Sequence, residues 1–310
     1  MMNIPRYISF FLGLLALSCS KKEQPAEIAD LVFPSDTYYV GAGSQTSLYI
    51  MQGNKRYQLL AGDETIIEAV ADGTPWPAGQ LTVKGLKKGS SVLSVTDEIT
   101  GKEVSLTIHV VDPFLVSRLG HAVPAVKFDP LVPEATRKTI REEVKTFADF
   151  DLDDILVLHR NKEQRFFVFG KVDFEKGEKL SESALKQSGT YELVFSTDGE
   201  QQLTLHFDGE GNSLSLGVYA NSAWAKNTLQ EFSSGKQSSP AMAEKRMSAI
   251  HAETPIDYFD RHIKVFKDLT FHINAAYPDI EIESAALYQE VELWPDFQNY
   301  GLSLDDGILE

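Results

Sequence analysis

The chain has 310 residues, of which 43% are apolar and 24% charged, with a formal net charge of −16. That apolar share excludes wholesale disorder, and the negative charge repels nucleic acid and anionic lipid. A single cysteine excludes an intramolecular disulfide, so burial must supply the stability.

That cysteine ends the first recognisable element. Ile8-Ser9-Phe10-Phe11-Leu12-Gly13-Leu14-Leu15-Ala16-Leu17 is an apolar run preceded by Arg6 and followed by Ser18 and Cys19. About ten apolar residues are too few to span a bilayer as a helix, but they suit the core of a signal peptide. Cys19 directly after such a core resembles the lipid-attachment site of a bacterial lipoprotein. The flank Cys19-Ser20-Lys21-Lys22-Glu23 resembles lipoproteins of the Bacteroides group. The leucine usually found three residues before the cysteine is displaced by one, to Leu17. The resemblance implies removal of residues 1–18 and outer-membrane anchoring through lipid on Cys19, on the cell surface or the periplasmic face. Residues 19–29 then form a short polar tether.

From residue 30 onward, short strand-like runs alternate with turns. They cover 30–33, 46–51, 56–60, 65–70, 80–84, 91–96 and Glu103–Val111. Gly53-Asn54, Gly62-Asp63 and Asp72-Gly73 separate some of them. Such spacing without a helical period predicts a β-sandwich over 30–112. In the last run Val104, Leu106, Ile108 and Val110 share one face, which places His109 on the wet face. Leu81-Thr82-Val83-Lys84-Gly85-Leu86-Lys87-Lys88-Gly89-Ser90-Ser91-Val92-Leu93-Ser94-Val95-Thr96-Asp97 resembles the end of a bacterial immunoglobulin-like domain of group 2. That resemblance implies a spacer or adhesive module without catalytic residues. Trp76 lies between Pro75 and Pro77, which restrict the backbone on both sides. Two readings stay open for it: a ring presented to a sugar or a partner, or a ring folded back onto the sandwich.

Residues 113–132 contain Gly120, Pro124 and Pro130, which predicts a linker. A second, α+β domain is expected over 133–310: an antiparallel sheet with two or three helices. Ile140, Val144 and Phe147 predict an amphipathic helix over 133–150. Strands are expected at Ile155–His159, 165–172, 190–196, 202–207, 212–219, 258–266 and 279–293, and a second helix at 239–252. Residues 268–276 fit either a helix or a strand. Asp268-Leu269-Thr270 with Tyr277-Pro278-Asp279 loosely resembles uncharacterised secreted proteins of the same bacterial group. The fold class is therefore mainly β, an immunoglobulin-like sandwich followed by an α+β antiparallel-sheet domain.

Candidate chemistry is sparse. Asp149, Asp151 and Asp153 alternate as calcium ligands do at the start of an EF-hand loop. The glycine required at the sixth position is Asp154 and the acid required at the twelfth is Arg160, so the EF-hand fails. A looser calcium site and a solvated helix-to-strand junction are the readings left. Asp208-Gly209-Glu210-Gly211-Asn212 also offers oxygens, but its glycines are explained by a turn. No His-Glu-x-x-His, Gly-x-Ser-x-Gly or phosphate-cradling glycine loop occurs. Tyr219, Asn221 and Trp224 have the chemistry of a sugar site, rings for stacking and an amide for hydrogen bonds; a tryptophan in the core is the alternative. The expectation is a non-catalytic, envelope-anchored lipoprotein, with an immunoglobulin-like stalk presenting a binding domain. Its partners would be the membrane through the lipid and a glycan or an envelope protein, with no nucleic acid. Adhesion or envelope assembly is the alternative, and a glycoside hydrolase the reading from another class.

Overall fold

The computed structural model describes residues 28–72, 76–173, 179–195, 201–209, 211–220, 222–234, 258–305 and 307–309. Cys19, Asn221 and the helix expected at 239–252 lie outside them.

The molecule is mainly β. The first seven strands are β1 (Thr37–Gly41), β2 (Gln45–Tyr49), β3 (Tyr57–Ala61), β4 (Ile67–Asp72), β5 (Gln80–Gly85), β6 (Gly89–Asp97) and β7 (Glu103–Val111). They form two sheets, ordered β1-β7-β6-β3 and β2-β5-β4. β1 runs parallel to β7, and the remaining pairs are antiparallel. Alternate residues from both sheets meet in one core of Tyr38, Val40, Leu48, Ile67, Leu81, Val83, Leu93, Val95, Leu106, Ile108 and Val110. The run at 30–33 makes only an isolated bridge, Val32 with Gln52. β1 was not foreseen, because its burial does not alternate. Tyr38 and Val40 face the sheet core while Tyr39 packs on the other side.

The linker expected at 113–132 is instead β8 (Phe114–Phe128), the longest strand among the described residues. Its turn signals have local explanations. Gly120 and His121 together oppose Glu290, a bulge, and a Cβ on Gly120 would lie 3.2 Å from the Glu290 carbonyl oxygen. Pro124 pairs with Leu287 on one side, whereas β9 pairs with β8 only over residues 114–118. The missing N–H therefore breaks no ladder bond.

β9 (Ile155–His159), β10 (Arg165–Phe169), β12 (Leu185–Phe195), β13 (Gln201–Phe207), β14 (Ser213–Ala220), β15 (His262–Asp268) and β16 (Ile282–Leu293) follow β8, each antiparallel to the one before. β16 pairs back onto β8, so the expected antiparallel sheet closes into an eight-stranded barrel. β11 (Lys179–Leu180) pairs outside it with β17 (Ser303–Leu304). The barrel interior is apolar, with Leu119, Leu158, Phe166, Leu205, Leu216, Val265 and Leu293 among its fillers. The cavity left holds about 20 Å³, roughly the space of one water. Outward positions include polar Glu192, Gln202, Thr204, Ser215 and Lys264 beside exposed Val123, Val194 and Tyr219.

Among the described residues three helices cover the barrel. α1 (Glu134–Lys145) lies within the expected 133–150 and buries Ile140 and Val144 against Ala285 and Leu287. α2 (Ala223–Ser234) was not foreseen. Ser222 Oγ accepts the Ala225 backbone N–H at 3.0 Å, and Ala225, Leu229 and Phe232 recur at helical spacing over the barrel core. Arg160 holds its last turn through the Phe232 carbonyl at 2.7 Å. α3 (Thr270–Ala276) resolves the ambiguous 268–276 stretch as helix. It buries Ile273 and leaves Phe271 89% exposed, where a strand would have put both on one face.

The two parts are joined by more than the chain. Tyr39 and Val111 pack with Val116, Val157, Phe169, Trp294, Phe297 and Leu304. A short helical turn, Phe297–Tyr300, lies against the open edges of β1 and β2. The Gln298 amide accepts the Tyr39 N–H at 2.7 Å and donates to the Tyr39 carbonyl at 2.9 Å. The Asn299 amide does the same for the Tyr49 N–H and the Ser47 carbonyl, at 2.9 and 2.7 Å. Each side chain replaces a missing strand.

His159 is buried at this junction and its Nε2 has no hydrogen-bond partner among the described residues. Burial holds its pKa below the usual histidine value, and nearby Asp112 opposes that shift only in part. The unfolded chain therefore binds the proton more readily. Stability is full above about pH 6.5 and falls as the pH drops below it. Urea denaturation at pH 7.5 and 5.5 should show the loss, and His159→Leu should remove part of it. An unchanged pH dependence in that variant would rule His159 out as its source.

Candidate functional site

The sequence candidates are dispersed by the fold. Trp76 is half-buried and stacks on Tyr49 with ring centroids 4.5 Å apart, so its ring is turned back toward β2. Tyr49 in turn lies beside Asp296, which is held by Arg261 at 2.7 Å. Burial and then Asp296 push the Tyr49 hydroxyl up to about 12. Tyr219 is 61% exposed on the outer wall of β14, whereas Trp224 packs against the barrel core from α2. Tyr219 thus stands on the outer wall, and Trp224 is half-buried on α2 against the barrel core.

The three aspartates do not converge either. Asp149 pairs with Lys267 at 3.1 Å, and Asp151 with Lys186 at 2.7 Å. Asp153 takes Arg118 at 2.9 Å and Lys171 at 2.8 Å. Asp153 has φ +68°, so the extended alternation that would align the carboxylates is broken there. Each charge is already met by a cation, which removes the drive to collect a calcium ion. Among the described residues no group of three or more such side chains is placed to hold a metal. Asp208 is likewise occupied, by both terminal guanidinium nitrogens of Arg165, Nη1 and Nη2, and by the Ser188 hydroxyl. Those bonds hold its carboxyl below the usual range.

The fold assembles a different site at one end of the barrel. β8 begins beside the first sheet pair, and β16 ends in the segment that docks on it, which defines the near end. β13 and β15 finish at the far end, where β12 and β14 begin. Here Gln187, Phe207, Asn212, Ser213, Ser215, Lys267, Asp268 and Asp149 line an open groove of about 510 Å³. Its polar groups are amides, hydroxyls and the Asp149–Lys267 ion pair. Phe207 contributes a half-buried ring, fixed edge-on against Phe166. The Asp268 carboxylate accepts the Thr270 N–H at 2.8 Å, and the Thr270 hydroxyl and N–H hold it below its usual pKa. The groove can donate and accept hydrogen bonds at many angles and offers one flat apolar face. Of its lining, Asp149 and Asn212 were singled out from sequence as possible cation ligands and Asp268 only in the loose resemblance; the rest comes from the ends of four strands and carries no local motif.

No family model and no curated protein matches this chain. Among solved structures it is similar to parts of the S-layer protein SbsC. Domains 4 and 5 share 18% identity over 26% of this chain and 44% of that one, with a TM-score of 0.23. Domains 5–6 share 11% over 61% and 95%, with a TM-score of 0.24. The fragment rSbsC(31-844) shares 13% over 60% and 23%, with a TM-score of 0.25. The chain thus spans less than half of the first of these. At such TM-scores the likeness does not establish a common fold.

Proposed function

We propose that this chain is a non-catalytic lipoprotein of the outer membrane, held by a lipid on Cys19. An immunoglobulin-like sheet pair spaces the barrel from the envelope, and the far rim of the barrel binds a neutral glycan. The observation that carries this reading is the rim groove: an open, mixed polar and aromatic cleft at the end away from the sheet pair. Amides and hydroxyls suit sugar hydroxyls, and a fixed ring suits a sugar face. The apolar run before Cys19 supports the anchor, and among the described residues no helix is long and apolar enough to cross a membrane. The facing sheets over one core support the immunoglobulin-like stalk.

Two experiments test the proposal. Metabolic labelling with palmitate should mark the protein and lose the mark in Cys19→Ala; an unlabelled wild-type protein would remove the anchor. Electrophoresis through gels containing xylan, galactomannan, pullulan or laminarin should retard the wild-type protein in at least one gel without releasing product. Asn212→Ala with Gln187→Ala should weaken that binding by about tenfold, the loss of a hydrogen bond or two. Retardation that persists in the double variant would put the site elsewhere.

A further inference from the structure

We infer that the glycan site continues from the rim groove onto the outer wall of the barrel, where a row of rings receives an extended neutral oligosaccharide. This rests on the reading of the rim as a glycan site and adds the length of its occupant. Pairing across the wall places Gly217, Phe266, Tyr288 and Val123 in one row over four neighbouring strands. Gly217 makes the row flat. A Cβ there would lie 2.1 Å from Phe266 Cζ, so the ring can lean across β14 only over bare backbone. Phe266 and Tyr288 sit side by side, with centroids 5.4 Å apart and a tilt of 32°. Val123 beside them is 51% exposed.

The row is continuous with the groove. Ser215 and Asp268, which line the groove, stand two residues toward the rim on the same strands as Gly217 and Phe266. Two residues the other way stand Tyr219 and Lys264, which pair with each other; Lys264 pairs in turn with Glu290. From Asp268 to Lys264 the path covers roughly 14 Å at strand rise, longer than one sugar ring. Apolar rings flanked by the Tyr219 hydroxyl, an amine and a carboxylate match alternating faces and hydroxyls of a sugar chain. The net charge of −16 selects a neutral chain over a polyanion. Cross-strand ring pairs also stabilise a sheet, so the test must separate binding from folding.

The probe is a hexasaccharide and a disaccharide of whichever polysaccharide retards the protein, measured by titration calorimetry on the full chain. The hexasaccharide should bind at least about tenfold tighter than the disaccharide. Phe266→Ala and Tyr219→Ser should each reduce that gain by about three- to tenfold and leave disaccharide affinity unchanged. Tyr219 is 61% exposed, so its variant decides the matter if Phe266→Ala does not fold, as judged by circular dichroism. Equal affinity for the two sugars, or a Tyr219→Ser variant that keeps the full gain, would overturn the wall subsite while leaving the rim site standing. No retardation by any of the four polysaccharides would overturn both.

Discussion

Gly189→Ala should cost about 3 kcal/mol or more, enough to leave the barrel largely unfolded at 37 °C. Gly189 is buried in β12, opposite Phe166 on β10 and Phe207 on β13. A Cβ there would sit 1.9 Å from the His206 carbonyl oxygen and 2.7 Å from Phe166 Cε1. The first neighbour is backbone within the β12–β13 ladder, so it cannot rotate away. Either the two strands part, or Phe166 leaves a core in which it is completely buried. Gly209→Ala is the contrast. That residue has φ +82° and nothing within 4 Å of a new Cβ, so it should cost only about 1 kcal/mol of backbone strain. Urea denaturation followed by circular dichroism compares the two. A Gly189→Ala variant within 1 kcal/mol of wild type would mean that the strands relax freely at that point.

Asp97→Ala should cost about 3 kcal/mol in the first sheet pair. Asp97 is fully buried at the end of β6. Its carboxylate accepts the Asn54 side-chain amide at 2.7 Å, and the backbone N–H groups of Ile99, Thr100 and Asn54 at 2.8, 3.2 and 3.2 Å. Alanine would leave all of these donors without that partner and detach the 54 loop from the 97–100 turn. Asp97→Asn keeps the shape but turns a donor toward donors, so an intermediate loss is expected. Burial pushes the Asp97 carboxyl up, but the hydrogen bonds from Asn54, Ile99 and Thr100 outweigh it and the net displacement is downward. Its contribution is therefore intact above about pH 4 and is lost as the pH falls through the lower folded value. Asp97→Asn should flatten that acid limb in urea titrations at pH 7 and pH 3. A variant as stable as wild type at pH 7 would show that the loop is held by other contacts.

Where one face of an element is wet, the sequence was readable. β7 follows its alternation to the residue, and α1 keeps the apolar stripe through Ile140 and Val144. The stretch Leu81–Asp97 quoted for the resemblance does contain a turn, between β5 and β6 at Gly85 to Gly89, with φ +148° at Gly89. Legibility failed where both faces are covered or where pairing is non-local. β1 has four consecutive buried residues because the junction lies on its outer side. β8 contains glycine and proline, which look like a linker until the one-sided pairing of its second half is known. α2 left a legible sign in Ser222 followed by Ala225, Leu229 and Phe232, masked by the reading of Tyr219, Asn221 and Trp224 as a sugar site. Barrel closure depends on β8 meeting β16 across more than 150 positions, which no local period encodes. The rim groove fails for the same reason, since its residues meet only after closure.

The turn that shields β1 and β2 is synthesised about 250 residues after the strands it shields. During synthesis, therefore, the two edges wait as open templates for any other extended segment. A nascent chain halted before Phe297 would carry adhesive strands, and so would a mature molecule clipped between Leu293 and Gln298. Loss of a few residues at the far end of the polypeptide would then show itself as self-association through its beginning.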